Sequence, residues 1–142
     1  MRVQLALNVR DLDAAIRFYS KIFGVAVHKR QPGYANFAMD QPPLKLVLFE
    51  MPDAPERLNH LGVEVFADAE VDAATERLQS AGMDHKIESE EICCWAKQNK
   101  VITHDPDGMM WEWYRVVEDA HTFRGTPVAS ACCAPQVTEG SR

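Results

Sequence analysis

No apolar run in this 142-residue chain approaches the ~20 residues that a membrane-spanning helix requires. The opening residues, Met1-Arg2-Val3-Gln4-Leu5, lack the apolar stretch of a secretory leader, and a cytoplasmic protein is expected. Surplus positive charge is missing too. Fifteen Lys and Arg face 21 Asp and Glu, for a formal net charge of -6, which argues against a nucleic-acid partner. Cysteine is sparse: the four residues fall in two adjacent pairs, Cys93-Cys94 and Cys132-Cys133. Adjacent Cα atoms lie about 3.8 Å apart, short of the roughly 4.4–6.8 Å that a disulfide usually spans. In a reducing compartment such pairs read as thiols or metal ligands rather than a disulfide framework.

What remains has the balance of one globular domain, 46% hydrophobic and 25% charged. Val3, Leu5, Leu7 and Val9 alternate with Gln4, Ala6 and Asn8, as in a half-buried strand. Asp11 stands as a helix cap, Ala14, Ala15, Phe18, Ile22 and Phe23 recur at helical spacing, and Gly24 is a natural stop. Three short strands are expected next, at Val25 to His28, Tyr34 to Met39 and Leu44 to Phe49. After a connector, Met51-Pro52-Asp53-Ala54-Pro55, the order begins again. Leu58 to Phe66 alternates, a helix spans about Ala69 to Ala81, and strands follow near Asp84–Glu88, Ile92–Lys97 (extending toward His104) and Met110–Val117. The expectation is an α+β fold of two tandem β-α-β-β-β modules, at about residues 1–52 and 56–117. They should form one curved, cup-like mixed sheet with helices on its outer face. A flexible tail is expected over 118–142, carrying Cys132-Cys133.

Gln4, His60 and Glu112 are the candidates for chemistry. Each lies in an expected strand, on the face opposite its bulky apolar neighbours, and Gln4 and His60 hold equivalent places in the two modules. If helices cover the apolar face, a curved sheet gathers all three in its concavity. An imidazole, a carboxylate and an amide oxygen suit Fe(II), Mn, Ni or Zn with coordination positions left open. The same pattern also fits a hydrogen-bonded core histidine with two solvated edge residues. Glu50, ending the fourth strand, is a candidate fourth ligand. His28, His85, His104 and His121 fall at edges, turns or the tail and read as surface residues.

The Cys93-Cys94 pair poses a geometric problem. Successive side chains of a strand point to opposite faces, so both sulfurs can grip one atom only where the backbone leaves regular strand. Soft thiolates select thiophilic centres such as Cu(I), Cd(II) or trivalent arsenic. Two small buried residues in a strand would look alike in sequence.

The duplicated module order resembles the vicinal oxygen chelate superfamily, which includes glyoxalase I, extradiol dioxygenases and bleomycin-resistance proteins. Within it the chain is most similar to the organoarsenical C–As lyases and the related cadmium-induced proteins. The segments carrying the resemblance are Arg2 to Leu7, Phe18 to Lys21, Pro32 to Ala38, Pro42 to Leu48, His60 to Val65 and Cys93-Cys94. It implies an Fe(II)- and O₂-dependent enzyme that splits the C–As bond of trivalent organoarsenicals, such as methylarsenite and reduced aromatic arsenicals, and releases arsenite. Carried over residue by residue, Gln4, His60 and Glu112 would hold the iron, and Cys93 and Cys94 would bind the arsenic. Gln98-Asn99-Lys100 would form a mobile active-site loop, and the protein would be a homodimer. Gln4 stands where extradiol oxygenases carry a histidine, which leaves Ni, Mn or Zn as alternatives to iron. Three other functions compete: a glyoxalase-like isomerase or lyase, a thiol-based cadmium- or arsenic-sequestering resistance protein, and a drug-binding module.

Overall fold

Strand β1, Arg2–Val9, runs through the middle of the molecule, and its alternation is inverted relative to a surface strand. Gln4 is 4% exposed and Val3 51%. The polar face is the inner one. A computed structural model of the chain describes residues 1–123, so the Cys132-Cys133 pair lies outside the described residues.

The elements follow the expected order: α1 (Leu12–Phe23), β2 (Lys29–Gln31), β3 (Tyr34–Asp40), β4 (Pro43–Glu50), β5 (Leu58–Glu64), α2 (Asp68–Ser80), β6 (Lys86–Cys93), β7 (Ala96–His104) and β8 (Met110–Asp119). They build one eight-stranded sheet in the order β2-β3-β4-β1-β5-β8-β7-β6. Each half has the same plan. β1 pairs parallel with β4, β5 pairs parallel with β8, and β1 and β5 meet antiparallel at the centre. Leu5 opposes Leu61, Gln4 opposes Gly62 and Ala6 opposes His60. Gln4 and His60 are therefore equivalent across a pseudo-two-fold that passes near the leucine pair.

Local chemistry sets the helix ends. The Asp11 carboxylate accepts from the Ala14 amide at 2.9 Å, and Gly24 closes α1 with φ 66°. The Glu70 carboxylate accepts from the backbone N–H groups of Phe66 and Ala67, which holds the start of α2. α1 packs Leu12, Ala15, Ile16, Tyr19 and Phe23 against the outer face of β1, β3 and β4. Phe18 and Ile22, expected on that buried stripe, point outward at 57% and 61% exposure. The concave face holds a separate cluster of Ala6, Tyr34, Val47, Phe49, Cys93, Ile102 and Met110.

Four sequence expectations need correction. The strand placed at Val25–His28 forms later, at Lys29–Gln31, where it pairs with Tyr34–Asn36. The strand drawn through Ile92–Lys97 is broken: β6 ends at Cys93, β7 begins at Ala96, and Cys94-Trp95 form the turn between them. Gln98-Asn99-Lys100 are not a loop. They lie within β7, paired on one side with β6 and on the other with β8. Finally, β8 runs on to Asp119, two residues beyond the expected end of the second module.

Candidate metal and thiol site

The inner side of the sheet brings Gln4, His60 and Glu112 together from β1, β5 and β8. All three are buried. Gln4 Nε2 lies 2.9 Å from Glu112 Oε1 and 3.0 Å from His60 Nε2, and the last two atoms are 3.2 Å apart. Gly62 makes this approach possible. A Cβ there would sit 3.0 Å from both Cγ and the carbonyl oxygen of Glu112, and 3.3 Å from the Gln4 amide nitrogen.

A relay of amides fixes the His60 tautomer, and its direction is anchored by a backbone carbonyl, which can only accept. Asn8 Nδ2 donates to the Glu56 carbonyl, so Asn8 Oδ1 accepts from Asn59 Nδ2. Asn59 Oδ1 is then left to accept from His60 Nδ1 at 2.7 Å. Nδ1 therefore carries a proton, and Nε2 faces Gln4 and Glu112.

Glu112 is ionised despite its burial. Burial alone pushes its carboxyl upward, but the Lys100 ammonium, 3.0 Å from Oε2, and the neighbouring His60 outweigh it and bring the pKa down from 4.5 to about 2. Lys100 is itself only 1% exposed. Spacing alone does not reveal this pair, because Lys100 occupies an inward strand position that a charged residue takes only with a partner. Tyr114 completes the group by donating its hydroxyl to Gln4 Oε1. Burial, then the nearby Glu64 and Glu112 carboxylates, push the Tyr114 phenol well above its ordinary pKa, so it stays protonated.

These residues suit a divalent cation. Donor atoms bound at right angles about 2.1 Å from one ion lie roughly 3 Å apart, as the three atoms here do. His60 offers a lone pair and Glu112 a negative oxygen. Gln4 would have to turn its amide over to present Oε1, and Tyr114, whose hydroxyl both donates and accepts, can satisfy either orientation. Among the described residues there is no cluster of three His, Cys, Asp or Glu side chains; the amide makes up the set.

Glu50 does not join them. Its carboxylate accepts from the Leu12 amide at 2.7 Å, at the start of α1, and its side is exposed. The registers Ala6↔Val47 and Gly62↔Glu112 make Val47, not Glu50, the symmetry counterpart of Glu112. The fourth position of the cup is therefore apolar.

The thiols sit at the β6–β7 turn. Cys94 and Trp95 both have positive φ, 56° and 64°, as the two central residues of a tight hairpin turn require. Neither is a glycine or asparagine, so the conformation is strained and is held from outside. The Cys94 amide donates to the Phe123 carbonyl and the Ala120 amide to the Trp95 carbonyl, both at 3.0 Å. Lys29 Nζ also donates to the Trp95 carbonyl. The turn brings the two sulfurs to 3.0 Å, with no disulfide between them. This is the break in regular strand that two sulfurs on one atom demand. Bonds of about 2.3 Å from each sulfur would meet at roughly 80°.

Cys94 lines the same cavity as Gln4, His60 and Glu112, a space of about 120 Å³ also bordered by Tyr34, Asn36, Phe49 and Gln98. His28, expected as a surface residue, is exposed but lies at this cavity's edge. Residues 2–113 match the Glyoxalase/Bleomycin resistance protein/Dioxygenase superfamily. The chain belongs to that superfamily. Two relatives cover nearly all of it. The cadmium-induced protein CadI of Mycobacterium tuberculosis is 49% identical over 148 residues, spanning 99% of this chain and 97% of the relative. A trivalent organoarsenical cleaving enzyme of Thermomonospora curvata is 50% identical over 136 residues, spanning 95% and 89%. Among solved structures, the Mn(II)-bound glyoxalase of Novosphingobium aromaticivorans superposes with a TM-score of 0.59 at 20% identity, over 89% of this chain and 41% of that one. At that identity the likeness concerns the superfamily fold. Among the described residues no helix is long and apolar enough to cross a membrane.

Proposed function

We propose that the protein cleaves the C–As bond of trivalent organoarsenicals, with Gln4, His60 and Glu112 holding Fe(II) and Cys93-Cys94 binding the arsenic. The observation that carries this reading is that Cys94 and the three polar residues line one cavity. Cys94, which lines the cavity with its sulfur 3.0 Å from that of the buried Cys93, brings a soft binding site beside a set of hard donors. The name of the Thermomonospora curvata relative, half identical to this chain, supports the substrate class.

In this reading the thiols bind first. A dihydroxy organoarsenical exchanges each As–OH for an As–S bond, and each thiol proton leaves with the hydroxyl as water, so arsenic remains trivalent. Capture fixes the carbon substituent within the cup, a proximity effect. Iron held there would supply the one-electron chemistry that lets O₂ react with a closed-shell substrate. His60 is held in the Nδ1–H tautomer by Asn59, Lys100 keeps Glu112 ionised, and the apolar Val47, Phe49 and Tyr34 walls limit water.

The test is arsenite release from methylarsenite by reduced, iron-loaded protein. Release should require both iron and O₂; full activity in anaerobic, chelator-treated samples removes the proposal, as does no release in air. A second reading, sequestration of Cd(II) or arsenite by the thiols, draws on the 49% identical cadmium-induced relative. Stoichiometric binding without any turnover would favour it.

A further inference from the structure

Two buried amide oxygens in the cavity are left over from the machinery described so far. Asn36, on β3, is 3% exposed and Gln98, on β7, is 6% exposed; both line the cavity. Their nitrogens are engaged. Asn36 Nδ2 donates to the Tyr34 hydroxyl at 2.8 Å, and Gln98 Nε2 donates to the Cys93 carbonyl at 3.3 Å. Their oxygens, Asn36 Oδ1 and Gln98 Oε1, are buried with no partner among the described residues. A buried carbonyl without a donor costs about 1–3 kcal/mol, so two of them beside one small cavity call for a ligand that carries donors. Gln98 is also tied to the thiol turn itself, through the carbonyl of Cys93.

We infer that Asn36 and Gln98 form an acceptor subsite that takes hydrogen bonds from O–H or N–H groups of the arsenical delivered by the thiols. The inference rests on the arsenical reading. It gives the cavity a preference that the thiols cannot supply, since sulfur binds arsenic whatever its organic group. The donors come from an amino or hydroxyl group on the organic substituent, since both hydroxyls on arsenic leave as water when the two thiols bind. A purely apolar substituent would leave both oxygens unpaired and is disfavoured.

The experiment measures anaerobic binding to the full, reduced chain by tryptophan fluorescence, so no turnover is needed. The probes are phenylarsenite, 4-aminophenylarsenite and methylarsenite. The proteins are the wild type, Gln98→Met, Asn36→Leu and the Cys93→Ser/Cys94→Ser double variant. The wild type should bind the amino compound about tenfold more tightly than phenylarsenite, with Gln98→Met or Asn36→Leu erasing the difference. Equal wild-type affinity for the two aryl compounds overturns the subsite. Wild-type affinity for all three ligands in both amide variants overturns the subsite. Should Asn36→Leu fail to fold, Gln98→Met alone decides. Failure of the wild type to bind any arsenical, or undiminished binding by the double serine variant, instead overturns the arsenical reading and the subsite with it.

Discussion

Replacing Lys100 with methionine should change the pH dependence of stability as well as its size. In the metal-free protein, Glu112 is held at about 2 against its ordinary 4.5, with burial opposing and Lys100 the first of the groups that overcome it. That difference corresponds to roughly 3 kcal/mol of stability. A carboxyl with a depressed folded pKa contributes fully above pH 4.5, and the contribution fades as pH falls from 4.5 through 2. Methionine fills the lysine's volume but leaves a buried carboxylate without its ammonium, a change that typically costs about 3–5 kcal/mol. Burial then pushes Glu112 upward with only the His60 side to oppose it. The variant should therefore be less stable by several kcal/mol at pH 7, and the gap should narrow toward pH 3, where a protonated Glu112 has no need of the cation. Urea titrations of chelator-treated wild type and Lys100→Met at intervals from pH 3 to 8 measure this directly. Two parallel curves, offset by a constant amount, would refute the electrostatic account and make Lys100 a packing residue.

Three further outcomes are expected. Gly62→Ala places a Cβ 3.0 Å from backbone and side chain of Glu112; it should cost about 1–3 kcal/mol and weaken Fe(II) affinity, read by thermal melts and by metal titration. A variant with wild-type affinity would detach the β5–β8 contact from the site. Glu50→Ala removes the acceptor at the Leu12 amide and should lower stability by about 1 kcal/mol while sparing metal binding; lost metal binding would return Glu50 to the ligand set. Cys94→Ser should abolish arsenite release and leave Fe(II) affinity unchanged. A metal-depleted Cys94→Ser protein would show that the thiol belongs to the metal rather than the substrate.

Duplication, the parity of β1, β5 and β8, and the helix ends were all legible in sequence because each depends on local pattern. Strand alternation put Gln4, His60 and Glu112 on one face, and only the curvature of the sheet was needed to collect them. Glu50 was misplaced because its position depends on register. One strand end looks like another until Ala6↔Val47 and Gly62↔Glu112 fix which residues are equivalent. The loop expected at Gln98-Asn99-Lys100 came from the family resemblance, whereas the strand pattern extending toward His104 is what β7 follows. What spacing could not show were the partners of Lys100 and Gln98, Glu112 and the Cys93 carbonyl, which come from β8 and from the turn. The Asn8–Asn59–His60 relay left no trace in spacing, since asparagines at strand ends are ordinary turn residues.

The thiol turn also ties function to parts of the chain that looked peripheral. A positive-φ Cys94-Trp95 pair is costly without glycine, and what offsets the cost is contact with Lys29 of β2 and with Ala120 and Phe123 after β8. Phe123 stacks edge-on against both Trp95 and Phe49, so the segment after β8 reaches from the thiol turn to the wall of the cup. The two sulfurs converge because two separate segments, β2 and the stretch after β8, hold one strained turn. Shortening the chain at Asp119 removes the Phe123 carbonyl that accepts from Cys94 and the ring that packs on Trp95, yet leaves Gln4, His60 and Glu112 in their strands. Such a truncation separates the two halves of the proposed site: metal affinity should persist while arsenical affinity falls. Equal loss of both would mean that the segment after β8 supports the whole cup and not the thiol turn alone.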